Sequence, residues 1–225
     1  GTLDEAAQKM KYDTDLMGQL IRFVSSHEVG HTLGLRHNFG SSSTVPVDSL
    51  RSRAFVEKYG HTPSIMDYAR FNYVAQPEDS IPREGIFPRI GDYDCWAIEW
   101  GYKPMWNAYD EVSDHWELEK LTTERLKGNR RLWFGDGETN RTNDARCQTE
   151  DLGDDAVKAS EYGILNLKRE LPLLPKWTYE SGDIYGQNLS SMMNQVIGQF
   201  SRYCMHVMTN LGGVYCDYKT VDQPG

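Results

Sequence analysis

No run of apolar residues in this chain approaches the roughly 20 that a helix needs to cross a bilayer, so a membrane span is not expected. Cysteine is scarce. Cys95, Cys147, Cys204 and Cys216 are widely spaced, and no CxxC pair exists to make a zinc-finger pattern. Either Cys204 and Cys216 bridge locally, if the segments around them fold back, or the thiols stay free and buried. The spacing leaves both open. Positive charge is in deficit, with 24 basic against 33 acidic side chains and a formal net charge of -9. That argues against nucleic acid or an anionic membrane surface as the main partner. Internal repeats and low-complexity tracts are missing. The opening Gly1-Thr2-Leu3 lacks a starting Met and a basic-then-apolar leader, and the chain reads as a piece of a longer protein.

What remains is a globular composition, 39% hydrophobic and 25% charged over 225 residues, enough for one large or two small folded units. Confident strand signals are few, and the expected class is mainly α. The pattern predicts a first helix over about Asp15 to Leu33, capped by Asp13 or Thr14 and ended by Gly34. Leu20, Val24, His27 and His31 share one of its faces. A second helix is expected from after Asp48 to Gly60, with Leu50, Phe55 and Val56 as its apolar side. Residues 72–91, rich in Pro, Gly and charge, read as an irregular, mostly surface loop. Asp92 is expected to cap a short helix through Trp96 and Trp100, closed by Gly101.

Further on, the pattern predicts helices over about Tyr109 to Leu126, from Asp154 or Asp155 to Glu170, and from Ile184 to Leu211. The last carries a stripe of Leu189, Met192, Met193, Val196, Ile197, Phe200, Tyr203 and Val207 that reads as core packing. A strand over Val214 to Val221 is also expected. The change of character divides the chain into a first part, 1–105, and a helical extension, 106–225, which can pack on the first part as one unit.

The chemistry lies in His27-Glu28-Val29-Gly30-His31-Thr32-Leu33-Gly34-Leu35-Arg36-His37. One helical turn separates His27 from His31, so both imidazoles can reach one ion. Glu28 flanks that face, close to the ion but outside its ligand set. Gly34 lets the chain leave the helix in a left-handed conformation and bring His37 back as a third ligand. Three neutral imidazoles leave a fourth position on tetrahedral zinc for water, which is the arrangement of a catalytic site. A lone histidine is usually a solvated or core residue, but three aligned with a glutamate and a helix-ending glycine are not explained that way. His61, His115 and His206 have no such company and read as surface or satisfied core residues. The acidic group Glu150, Asp151, Asp154 and Asp155 lacks the order of a calcium loop, and helix capping explains it more simply. The sequons at Asn140 and Asn188 carry little weight.

With these residues in place, the chain resembles the metzincin clan of zinc peptidases, whose signature is HExxHxxGxxH followed by a Met-containing turn. The turn is Ser64-Ile65-Met66-Asp67-Tyr68, with Met66 lying 29 residues beyond His37. The resemblance implies that Met66 forms an apolar floor under the imidazoles. It also implies that Tyr68 is a fifth ligand or a donor to the developing oxyanion. Gly91 to Tyr102 is similar to the last helix of metzincin catalytic domains. The runs His37 to Ser42 and Ser64 to Asp79 look like those of large bacterial zinc-dependent metalloproteases common in Bacteroidetes-type genomes. That likeness implies one catalytic zinc, a peptide or protein substrate, and a periplasmic, cell-surface or secreted location. Metzincins place a sheet of about five strands before the zinc helix, and its edge strand holds the substrate. Only 26 residues precede His27, so that upper subdomain is expected to be a missing upstream partner. Asn38, after the third histidine, matches no usual subgroup marker.

The expected function is zinc-dependent endopeptidase chemistry with Glu28 as general base. The alternative is a helical interaction or scaffold module with a structural or vestigial zinc site. A third possibility is hydrolysis of a non-peptide amide by the same machinery.

Overall fold

A computed structural model describes residues 1–139 and 144–217. Among them there is no strand, and seven α-helices joined by short 3-10 turns build the molecule. The first helix, α1, spans Thr14–Thr32. The Asp13 carboxylate caps it by accepting from the Leu16 N–H, and Gly34 follows its end with φ +82°. The second expected helix is split. Val47–Arg51 is a 3-10 turn, and α2, Arg53–Tyr59, restarts after Ser52, whose hydroxyl accepts from the Phe55 N–H. A serine that can cap its own backbone ended one helix and began another.

Residues 72–91 are irregular, as expected, but they are only partly surface: Pro77, Glu78, Ser80, Glu84 and Ile90 are exposed while others lie inside. Asn72, Val74, Ala75, Gln76, Ile81 and Ile86 are buried. The charged residues that suggested a surface loop alternate with these. Side-chain amides satisfy the interior backbone: Asn72 donates to the carbonyls of Leu50 and Gly85, and Gln76 to those of Val74, Ala75 and Tyr162. Irregular backbone is affordable inside a protein only when its polar groups find such partners.

Helix α3, Asp92–Tyr102, starts from Gly91. Its first turn is held by Asp94, which accepts from the Gly91 N–H, whereas the expected cap Asp92 instead pairs with Arg131. Gly101 lies inside the helix, which runs one residue further and stops before Pro104. Helix α4, Glu111–Gly128, is capped by Asp110; α5, Ala156–Glu170, by Asp155. After the short α6, Leu174–Trp177, comes α7, Gln187–Met208, shorter at both ends than the periodicity suggested. Ile184–Gly186 form a separate turn in which Tyr185 has φ 54°. Five of the eight residues of the α7 stripe pack inward: Val196 and Tyr203 are buried with Leu167 and Leu174, and Leu189, Met192 and Met193 lie against them. Ile197 and Phe200 face outward instead, 54% and 47% exposed, because α5 and α6 cover only one side of α7. Residues 214–217 are not a strand; 218–221 and the Asn140 sequon lie outside the described residues. All four cysteines are free, and Cys95 is exposed.

The extension shares its core with the first part. Leu152 and Ala159 belong to one buried cluster with Val45, Val47, Leu50, Ala69 and Val74. Backbone bonds reinforce it, from Asp154 N–H to the Val45 carbonyl and from Glu150 N–H to that of Tyr68. No described helix is long and apolar enough to cross a membrane.

Candidate metal centre

Two features bring the histidines together. Helix periodicity puts His27 and His31 on one face of α1, and the Gly34 turn reverses the chain so that His37 returns to them. The Nε2 atoms of His27 and His31 lie 3.3 and 3.1 Å from that of His37. Each opposite nitrogen is committed elsewhere. His27 Nδ1 sits 2.8 Å from the Ile65 carbonyl, His31 Nδ1 3.0 Å from that of Leu35, and His37 Nδ1 3.0 Å from a Glu138 carboxylate oxygen.

A carbonyl or carboxylate only accepts, so each Nδ1 must carry the proton and each Nε2 of a neutral ring is left bare. Three lone pairs then point at one spot, an arrangement that repels unless a cation stands between them. The donor set therefore fits a metal ion such as zinc, and among the described residues it is the sole group of three or more potential ligands gathered in this way. Burial, and next the neighbouring rings, hold His27 below its ordinary pKa despite its bond to Ile65, which favours the neutral, ligating form.

A family model described as Met-zincin matches residues 9–225. The chain belongs to the Met-zincin family. No curated protein and no solved structure matches it. Membership makes this a zinc-metallopeptidase-like domain, and its remaining site residues can be placed against that.

Met66 of this Met-zincin domain is fully buried directly beneath the zinc helix. A Cβ on Gly30 would lie 2.4 Å from the Met66 sulfur, so the helix and the turn touch only because residue 30 has no side chain. Sequence reading treated Gly30 as a free position of the motif; the close approach was invisible to it. The turn itself is fastened by Asp94, which accepts from the Ser64 hydroxyl at 2.7 Å and the Ile65 N–H at 2.8 Å. One buried carboxylate thus caps α3 and fixes the carbonyl that orients His27.

Asn38, which carried no signal in the sequence, is a clamp. Its N–H donates to the Met66 carbonyl, its amide to the Trp133 carbonyl, and its side-chain oxygen accepts from the Gly135 N–H at 2.8 Å. The Gly40 N–H adds a bond to the Gly135 carbonyl. Arg36 reaches Asp136 and Thr139 on the same loop. The arm bearing His37 is therefore seated on residues 133–139 of the extension.

The Tyr68 ring stands 4.6 Å from that of His37 and 5.2 Å from that of His27, and it is 39% exposed. Glu28 is exposed beside His27, and its carboxylate accepts no hydrogen bond among the described residues.

The other candidates disperse. Glu150 pairs with Arg70 and Arg202, Asp154 accepts from the Val47 N–H, Asp155 caps α5, and Asp151 is buried with one carboxylate oxygen unpartnered, so the four do not gather as ligands of one ion. Asn188 begins α7, and its amide donates to the Thr178 carbonyl and to Glu180. His115 is exposed, and His206 is buried and only half satisfied, with Nε2 bonded to the Thr149 carbonyl and Nδ1 without a partner. His61 corrects the expectation: it is fully buried, yet neither ring nitrogen finds a hydrogen-bond partner. Burial, with some help from Arg89 and opposed in part by the nearby Arg70 backbone, which is not placed for a full hydrogen bond, pushes its pKa down to about 3. A largely apolar cavity of about 380 Å³ opens between the N-terminal segment, Phe71, Phe87 and Tyr203, but none of the three histidines lines it.

Proposed function

We propose that this Met-zincin domain is an endopeptidase in which His27, His31 and His37 hold one zinc ion and Glu28 acts as general base. The observation that carries the reading is the convergence of three bare Nε2 atoms beside an exposed carboxylate with no other task. A structural site has no use for such a carboxylate. Bound zinc supplies Lewis acidity and brings the pKa of water from about 15.7 towards about 7.

Glu28 takes the proton of the attacking water and returns it to the leaving amine. Tyr68, with its ring over His37 and its hydroxyl uncommitted among the described residues, donates to the carbonyl oxygen as negative charge develops there. Met17, Ile21 and Val24, spaced along one side of α1, are 44%, 59% and 51% exposed. We propose that this row receives the upstream part of the longer protein, which would present the peptide.

The test is turnover of peptide mixtures and of small amides by the purified protein and by Glu28→Gln. Peptide cleavage abolished in Glu28→Gln, with zinc content unchanged, supports the reading; retained activity removes Glu28 from its role. Cleavage of small amides alone would make the protein an amidase. Zinc uptake without any turnover would favour the scaffold alternative.

A further inference from the structure

We infer that Glu138 is a positioning residue of the metal centre: the extension supplies the outer carboxylate that fixes the third histidine. The inference rests on the zinc reading above. His27 is oriented by the Met-turn, through the Ile65 carbonyl, and His31 by the Leu35 carbonyl four residues along. Both are local consequences of the zinc helix and its turn. His37 has no such support. It rides on an irregular arm after the helix end, and the one polar partner of its Nδ1 is Glu138, 101 residues later in the chain.

The loop that presents Glu138 is seated on the arm through Asn38, Gly40 and Arg36. Its own turn is tied by Asp136, which accepts from the N–H groups of Glu138 and Thr139. The carboxylate is consequently held in place without being buried, 48% exposed against 12% for the His37 side chain. By accepting from Nδ1–H it selects the tautomer with a bare Nε2 and aims that atom at His27 and His31. A carboxylate in this outer position also strengthens the imidazole as a donor, and removing such a partner typically lowers metal affinity by about 10- to 100-fold. The metal centre is then complete only when residues 133–139 are docked, which couples the extension to the zinc site.

The experiment is a zinc-affinity measurement by competition with a chromophoric chelator at neutral pH. It compares wild type, Glu138→Gln, Glu138→Ala and the surface control Glu161→Gln, each also made in a His37→Ala background. The expected result is a loss of about 10- to 100-fold in Glu138→Ala. Glu138→Gln should lose less, because its amide oxygen still accepts from Nδ1–H, and Glu161→Gln should lose nothing. In the His37→Ala background, Glu138→Ala should have no further effect, since its route to the metal is gone.

Unchanged affinity in Glu138→Ala would overturn the inference while leaving the three-histidine site standing. An equal loss with and without His37 would overturn it too, by showing an effect of charge or loop structure alone. No zinc uptake by wild type would remove both the inference and the reading beneath it.

Discussion

Gly30 and Met66 touch across the zinc helix so closely that a single added carbon would come within 2.4 Å of the sulfur. The floor of the metal centre is therefore set by a missing side chain. Gly18, twelve residues earlier on the same helix, has nothing within 4 Å of the equivalent position. The pair separates the intrinsic helix preference for alanine from packing. Gly18→Ala should stabilise the protein by about 0.5–1 kcal/mol. Gly30→Ala gains the same term but must displace Met66, and overpacking of a tight core costs about 1–3 kcal/mol. Urea melts should show opposite signs, and zinc affinity should fall in Gly30→Ala alone. A stabilised Gly30→Ala with intact affinity would mean that Met66 gives way freely.

Asp94 joins the Met-turn to α3 through bonds from Ser64, Ile65 and Gly91, in a position only 3% exposed. Asp94→Ala strands three donors, and at about 1–3 kcal/mol for each it should lower stability by at least about 3 kcal/mol. Asp94→Asn keeps an oxygen for the two backbone donors and should cost about 1–2 kcal/mol. Because the Ile65 carbonyl orients His27, zinc affinity should fall in the same order. Chemical denaturation with chelator titration checks both, and equal effects of the two substitutions would refute this account.

His61 sets an acid limit. Its pKa is about 3 in the folded protein, where burial disfavours the charged ring, against 6.5 as the ordinary value. The contribution is fully present above about pH 6.5. Below that, the unfolded chain takes up a proton that the folded protein refuses, so the contribution of His61 falls as pH drops towards 3, opposed by Asp151 and Asp67, whose carboxyls burial pushes upward. The slope is at most about 1.4 kcal/mol per pH unit. His61→Leu removes this titrating group, so the variant should lose less stability than wild type on going from pH 7 to pH 4. Urea midpoints measured between pH 7 and pH 4 provide the comparison, and parallel profiles for the two proteins would show that His61 is not the sensor.

The alternation of motif and turn was legible because it depends on local geometry. The 3.6-residue period aligns His27 with His31, and the left-handed conformation at Gly34 turns the chain back towards them whatever packs nearby. Asp155, one of two caps expected for its helix, acts through a side chain two or three residues from its targets, which is equally local. The stripe on α7 failed at Ile197 and Phe200 for the opposite reason: a period shows which residues share a face, not how much of that face a neighbour covers.

By itself, then, the sequence determined the zinc helix, its exit, the Met-turn and a mainly helical fold. Tertiary structure decided how the site is held. The partnerships of Gly30 with Met66, Asp94 with Ile65, Asn38 with Gly135 and His37 with Glu138 join residues between 29 and 101 positions apart. No periodicity spans such distances. Those of Asp94 and Asn38 form because buried donors and acceptors must find partners wherever the folded chain provides them. That of Gly30 with Met66 forms because close packing leaves no room for a side chain, and that of His37 with Glu138 because the docked loop brings the carboxylate alongside. The same demand for partners accompanied Asn72 and Gln76 into the interior of a segment, 72–91, that read as mostly surface by composition.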